Sequence, residues 1–149
     1  MHYRFLALSL MAWAAGAQAA EVPVLSTFPK CVQTRLPQVK ATAGTRDPDL
    51  QTGMVPVGVS YQRVFDQLRH AAQQTHADAV VLRSHQADYF VKGAKPRKRP
   101  TYIQLLGTPV QLKEDRRDCP LAVIDPLEFA ENARYRERTE STANTGFSL

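Results

Sequence analysis

Residues 60–82 constrain the fold most strongly, because an amphipathic helix there is followed directly by a buried strand. Apolar side chains recur at helical spacing after Ser60, whose hydroxyl is placed to cap the first turn. Val80, Val81 and Leu82 then favour a strand, since branched side chains suit a pleated surface. The pattern predicts a helix that packs on a sheet, and its expected buried face comprises Tyr61, Val64, Phe65, Leu68, Ala72 and Thr75.

Residues 1–19 have the features of a secretory signal peptide. Arg4 supplies a positive charge, residues 5–15 are apolar, and residues 17–19 read Ala-Gln-Ala, a small-residue cleavage pattern. An uncleaved anchor is the alternative, but the apolar run is shorter than the ~20 residues needed to span a bilayer. We therefore expect a periplasmic protein with no lipobox and no transmembrane segment after cleavage.

The remaining chain is predicted to form one domain over residues 20–124, followed by a C-terminal helix and a disordered tail over residues 125–149. Without the leader it carries 18 basic and 14 acidic residues, a net charge of about +4. This modest excess is compatible with contact to an anionic envelope surface. It does not favour nucleic acid as the partner of an exported protein.

Two cysteines, Cys31 and Cys119, lie 88 positions apart, so the chain has no C-x-x-C redox motif. An even count in an oxidising compartment predicts one disulfide between them. In the chain-entropy model a loop of this length contributes ~4–5 kcal/mol to stability. Two free thiols, one of them reactive, are the alternative.

Alternating apolar residues predict the strands around the helix. A half-buried strand over 32–36 is interrupted at Pro37 and resumes at Val39, while 21–29 reads as an extended lead-in. Two longer strands, 79–91 and 101–113, are predicted to form an antiparallel hairpin with a bulge or bend near Gly107 and Pro109.

A short C-terminal helix is predicted after residue 124. The segment has the features of a helix N-terminus: Asp125 at the N-cap, Pro126 at the first helical position and Glu128 at the third. Leu127, Phe129 and Ala130 offer it only a thin apolar face.

No catalytic group is recognisable, because G-x-S-x-G, a glycine-rich phosphate loop and an acid/base pair of carboxylates are all missing. We therefore predict no catalytic residue, no cofactor and no enzymatic activity. His70, His76 and His85 are interpreted as solvated side chains. A weak metal site that joins His76 or His85 to Asp78 or Asp88 is a minor alternative, and no metal ligand is assigned.

The connection between the two long strands is strongly basic. Five charges in eight residues repel one another, project from the core and suit an anionic lipid head group or an acidic protein face. A solvated hairpin tip without a ligand is the alternative. The candidate residues for binding an anion or a partner are Lys92, Lys95, Arg97, Lys98 and Arg99.

The run HADAVVLRSHQ, followed by a loop and YIQLLGTPVQL, resembles the core of the RcsF-like outer-membrane stress-sensor lipoproteins and, more distantly, the YbjQ-type domains. The resemblance covers residues 60–113. It implies an α/β (α+β) fold of βαββ type, with one main helix packed on a short sheet. The sensors carry a lipidated N-terminal cysteine, and they have core cysteines where this chain has His85 and Leu105, so their disulfide pattern is not transferred.

These patterns together predict an exported, non-catalytic periplasmic binding domain with a role in envelope stress sensing or signalling. Its expected partner is an envelope protein or an anionic envelope surface. Two alternatives stay open: a small metal- or ligand-binding periplasmic module, and a structural accessory protein of the envelope.

Overall fold

The computed structural model describes residues 21–45, 57–92, 95–96, 98–115 and 119–136. The predicted signal peptide and the predicted disordered tail lie outside these residues. The elements, in chain order, are β1 (Val24–Leu25), β2 (Val32–Arg35), β3 (Val39–Gly44), α1 (Tyr61–Gln73), β4 (Ala79–Asp88), β5 (Val91–Lys92), β6 (Lys95–Pro96), β7 (Tyr102–Leu112) and α2 (Pro126–Arg136). The fold is mixed α/β, and β3, α1, β4 and β7 follow the predicted βαββ order.

The centre of the sheet is the antiparallel pair of β4 and β7, which confirms the predicted hairpin. The pair runs from Ala79 opposite Val110 to Asp88 opposite Tyr102. Its register shifts between Leu82 and Ser84, so Arg83 is an extra residue on β4. The irregularity expected near Gly107 therefore exists, but the bulged residue lies on the opposite strand.

The outer strands of the sheet flank this pair. Both β2 and β3 pair antiparallel with β7, which confirms a strand that is interrupted around Pro37 and then resumes. On the other side, β1 pairs parallel with β4, and Val24 and Leu25 are completely buried. The predicted extended lead-in thus contains a short strand that the sequence analysis did not identify. A two-residue strand is too short to show alternation, and only its pairing with β4 defines it.

Helix α1 lies on one face of the sheet. Five of the six predicted core residues, from Tyr61 to Ala72, are buried there. Thr75 lies beyond the end of the helix and is half-buried. Ser60 occupies the N-cap with an extended backbone, but its side chain makes no capping hydrogen bond, so that detail of the prediction was wrong.

Gly107 allows α1 to approach the sheet closely. A Cβ atom at this position would lie 2.5 Å from Val80 Cγ2 and 3.4 Å from Leu68 Cδ1. Val80 and Leu68 are completely buried and have little room to move. Because position 107 of β7 has no side chain, α1 can lie close to the hairpin.

A second, smaller core lies on the opposite face of the sheet. The predicted disulfide between Cys31 and Cys119 is present at its border, which ties the start of β2 to the segment before α2. The backbone amide of Lys113 donates to the Cys31 carbonyl at 2.9 Å, so the last residues of β7 join the same seam. The smaller core contains Leu25, Cys31, Ala79, Val81, Val110 and Leu112.

Within the described ranges, no helix is long and apolar enough to cross a membrane.

Replacement of Gly107 tests the close packing of α1. We expect Gly107→Ala to lower the free energy of unfolding by about 1–3 kcal/mol, because overpacking displaces Val80 or the helix. Urea unfolding followed by circular dichroism measures this change. Ser84→Ala on the exposed side of β4 is the control, with an expected effect below about 0.5 kcal/mol. Equal unfolding midpoints for Gly107→Ala and the wild type would contradict this packing.

Removal of the disulfide tests the seam. We expect the double variant Cys31→Ala, Cys119→Ala to lose about 2–5 kcal/mol of stability, since the unfolded chain regains the freedom of a long loop. Urea unfolding with and without reductant provides the measurement. Reductant should destabilise the wild type and leave the double variant unchanged. A wild-type midpoint that does not respond to reductant would show that the bond contributes nothing.

Candidate functional site

The basic connection between β4 and β7 lies at the end of the central hairpin. Thr101 closes its base, because its amide and hydroxyl both donate to the Asp88 carbonyl, at 2.8 and 3.2 Å. Beyond this base, β5 and β6 form a two-residue ribbon in which Lys92 pairs with Lys95. Lys98 and Arg99 follow the ribbon and are exposed, whereas Arg97 lies outside the described residues. Of the five predicted basic residues, Lys92 and Lys95 are therefore in the ribbon, and Lys98 and Arg99 lie between the ribbon and β7.

A cleft of about 640 Å³ separates this connection from the two helices. We call it the tip cleft. It brings together three parts of the chain that are distant in sequence, so no local pattern could have predicted it. Its lining residues are Val59, Ser60, Tyr61, Gln62, Tyr89, Lys98, Arg99, Pro100, Pro126, Leu127, Ala130 and Glu131.

The N-terminus of α1 forms one wall of the tip cleft. The Val59 amide donates to the Pro100 carbonyl at 2.7 Å, which holds the start of the helix beside the basic connection. The first turn of α1 contains no acidic residue, and Ser60 provides no side-chain acceptor. The dipole of α1 therefore adds a partial positive charge to that of Lys98 and Arg99.

Gly58 makes room for Arg99 in this wall. A Cβ atom at position 58 would lie 2.7 Å from the Cβ atom of Arg99. Since that contact involves the base of the arginine side chain, rotation of the guanidinium end would not relieve it. The glycine therefore lets the segment before α1 lie directly against the basic connection.

Tyr89 contributes a polar atom to the base of the same region. Its hydroxyl is buried and has no hydrogen-bond partner among the described residues. A buried hydroxyl without a partner costs about 1–3 kcal/mol, so a ligand or water that accepts a hydrogen bond from it would be favoured. The opposite wall, on α2, adds the exposed side chains of Leu127 and Glu131.

Helix α2 starts as the sequence predicts. The Asp125 carboxylate accepts hydrogen bonds from the amides of Leu127 and Glu128 at 2.8 and 2.9 Å. The helix packs on α1 through Phe129, whose ring lies 5.4 Å from that of Phe65. Leu127 does not share this apolar face, because its side chain is 70% exposed.

His85 is half-buried and contacts both helices, which corrects the prediction of a solvated side chain. Its Nε2 atom lies 2.7 Å from the Tyr61 hydroxyl, and its ring meets the Phe129 ring edge to face at 5.2 Å. The extra residue at Arg83 reverses the alternation of β4 and turns His85 towards α1. The sequence does not show where the bulge lies, so it could not predict this contact.

His70 and His76 are exposed, as predicted. His76 closes the turn after α1 with a φ of 56°, a backbone conformation that gives it a structural role. Asp78 accepts a hydrogen bond from the Leu112 amide at 2.8 Å. In the part of the chain that the structure describes, no group of three or more His, Cys, Asp and Glu side chains could hold a metal ion.

No local sequence pattern identifies Arg35 and Arg83 as candidate binding residues. These residues come from different strands, yet both guanidinium groups lie over the ring of Phe28. Their convergence depends on the strand order and on the bulge. A local sequence pattern predicts neither the strand order nor the position of the bulge.

The docking of α2 onto α1 is testable through Phe129. We expect Phe129→Ala to lower the free energy of unfolding by about 2 kcal/mol, because it removes the ring that contacts Tyr61, Phe65 and His85. Amide hydrogen exchange in α2 should accelerate at the same time. Leu127→Ala on the same helix is the matched control and should leave both measurements almost unchanged. An undisturbed α2 in Phe129→Ala would contradict the packing described above.

Comparison of the chain with protein-family models, curated proteins and solved structures finds no match. The resemblance to the RcsF-like sensors and the YbjQ-type domains therefore stays a prediction. What the structure itself shows is a mixed α/β fold, in which one main helix packs on a sheet and a disulfide joins Cys31 to Cys119.

Proposed function

We propose that the protein is an exported, non-catalytic binding domain of the cell envelope, and that its tip cleft binds an anionic group of another envelope component. One observation supports this proposal above the others. Lys98, Arg99 and the N-terminus of α1, where the Ser60 side chain forms no cap, line a single cleft. Two basic side chains of one connection and a helix N-terminus from another part of the chain thus face the same space.

The electrostatics of the tip cleft favour an anion. Neither Lys98 nor Arg99 forms an ion pair with a described residue, so a ligand would not have to displace an internal carboxylate. Amide groups at a helix N-terminus bind phosphate and carboxylate oxygens in many proteins. Glu131 on the α2 wall opposes a large or multiply charged ligand and favours one that approaches from the side of the basic connection.

Export and a role in stress sensing rest on the sequence. The leader over residues 1–19 favours secretion, and the disulfide is compatible with an oxidising compartment. The resemblance of residues 60–113 to the RcsF-like sensors favours signalling over catalysis. In this proposal, attraction between the basic cleft and an anionic surface holds the protein at the envelope.

The test of this proposal uses vesicles that contain phosphatidylglycerol, with sedimentation at several salt concentrations as the measurement. We expect Lys98→Gln with Arg99→Gln to weaken binding by about tenfold or more, since each basic residue near an anionic surface contributes about 1 kcal/mol. Binding of the wild type should fall as salt rises.

The control for this test removes the same charge elsewhere. Lys30, just before β2, and Lys40 on β3 are both exposed, and neither lines the tip cleft. Lys30→Gln with Lys40→Gln should therefore retain most of the binding. If both double variants lose the same amount of binding, the loss follows from net charge and not from the tip cleft. Unchanged binding in both would reject the tip cleft as the site.

A further inference from the structure

Two arginines share one aromatic ring on the face of the sheet opposite α1. The Cζ atom of Arg35 lies 4.2 Å from the centre of the Phe28 ring, and that of Arg83 lies 5.2 Å from it. Both arginines are exposed. Among the described residues, neither guanidinium has a carboxylate within ion-pair distance.

The fold positions each member of this group separately. Arg35 ends β2 and pairs with Val110 of β7, which belongs to the smaller core. Arg83 is the extra residue on β4. Phe28 lies between β1 and β2 and packs partly buried against the smaller core. None of the three lines the tip cleft, which lies on the α1 side of the sheet.

Two positive charges over one ring repel each other. Since the Cζ atoms lie 4.2 and 5.2 Å from the ring centre, they are less than about 10 Å apart, so physiological salt, with a Debye length of ~8 Å, screens their repulsion only in part. Contact with the ring offsets part of this repulsion, at about 0.5–1 kcal/mol for each exposed cation–π pair. A bound anion would neutralise both charges at once.

The chemistry of the pair indicates what that anion is. A cation–π contact does not use the N–H donors of a guanidinium, so each arginine keeps donors in a planar fork that matches phosphate oxygens. Two guanidinium groups also balance the charge of a phosphate monoester, which approaches −2 at neutral pH. A single carboxylate would neutralise only one of them.

We propose that Arg35 and Arg83, held in place by Phe28, form a binding site for a phosphate monoester group. This site is independent of the tip cleft and of the function proposed for it. Phe28 fixes the two guanidinium groups on one small area, and the phosphate bridges them. The group belongs either to a soluble phosphorylated molecule or to a lipid head group.

The experiment is a titration of residues 20–149, the chain after the predicted signal peptide, with inorganic phosphate and with glycerol 3-phosphate at constant ionic strength. Nuclear magnetic resonance of the arginine Nε–Hε groups reports the binding. We expect saturable shifts of the Arg35 and Arg83 resonances. Arg35→Gln and Arg83→Gln should each weaken binding by about tenfold, the loss of one charged hydrogen-bond group. Arg35→Lys should also weaken it, because an ammonium cannot bind two oxygens in the same plane.

Two comparisons make the outcome decisive. Arg63→Gln removes an exposed arginine from α1 and should leave the phosphate-induced shifts of the Arg35 and Arg83 resonances as in the wild type. Unchanged phosphate affinity in Arg35→Gln and Arg83→Gln would overturn the proposal. A lowered melting temperature in the same variants would then show that the two arginines only stabilise the fold by packing on Phe28. Vesicles with phosphatidic acid distinguish the source: binding tighter than that of glycerol 3-phosphate and dependent on Arg35 identifies a lipid head group, and equal affinities identify a soluble ligand.

Discussion

The contact between α1 and the β4–β7 pair is the constraint on which the other features depend. Val64, Phe65 and Leu68 are completely buried in it, and full burial of each such side chain contributes about 1.5–3 kcal/mol. The contact needs a glycine on β7, because any side chain at Gly107 would meet Val80 and Leu68. Since β4 follows α1 after a short turn and runs back along it, the start of α1 necessarily lies at the end of the hairpin. The tip cleft is a consequence of this arrangement.

The bulge at Arg83 has the next largest effect. One extra residue reverses the side on which every later side chain of β4 lies. It turns His85 towards Tyr61 and Phe129, which hold α2 against α1. It also leaves Arg83 itself on the other face, where it reaches the ring of Phe28. A single irregularity thus positions one wall of the tip cleft and one arginine of the proposed phosphate site.

Features that depend on local pattern could be predicted from the sequence. The buried face of α1 follows from its helical spacing, the hairpin from two alternating segments, and the cap of α2 from Asp125 and Pro126. The pairing of Cys31 with Cys119 was predictable because the chain has only these two cysteines. Features that depend on tertiary pairing could not be predicted: β1 acquires its identity from β4, and the environment of His85 depends on the position of the bulge.

The candidate sites divide in the same way. Composition was sufficient to select Lys98 and Arg99, because five basic residues in one short connection are conspicuous. It could not show that they line a cleft with the start of α1, since that depends on how the helix lies on the sheet. Arg35 and Arg83 are isolated in the sequence, and only the strand order brings them to Phe28.

The most direct test of the central claim is a map of amide chemical shifts in residues 20–149 during titration with a soluble short-chain phosphatidylglycerol. If the packing of α1 on the hairpin creates an anion-binding tip, the largest changes should cluster at residues 59–62, 98–100 and 126–131, which border the tip cleft. Changes confined to the exposed face of α1 around Arg63 and Gln67, or no saturable change at all, would contradict the claim.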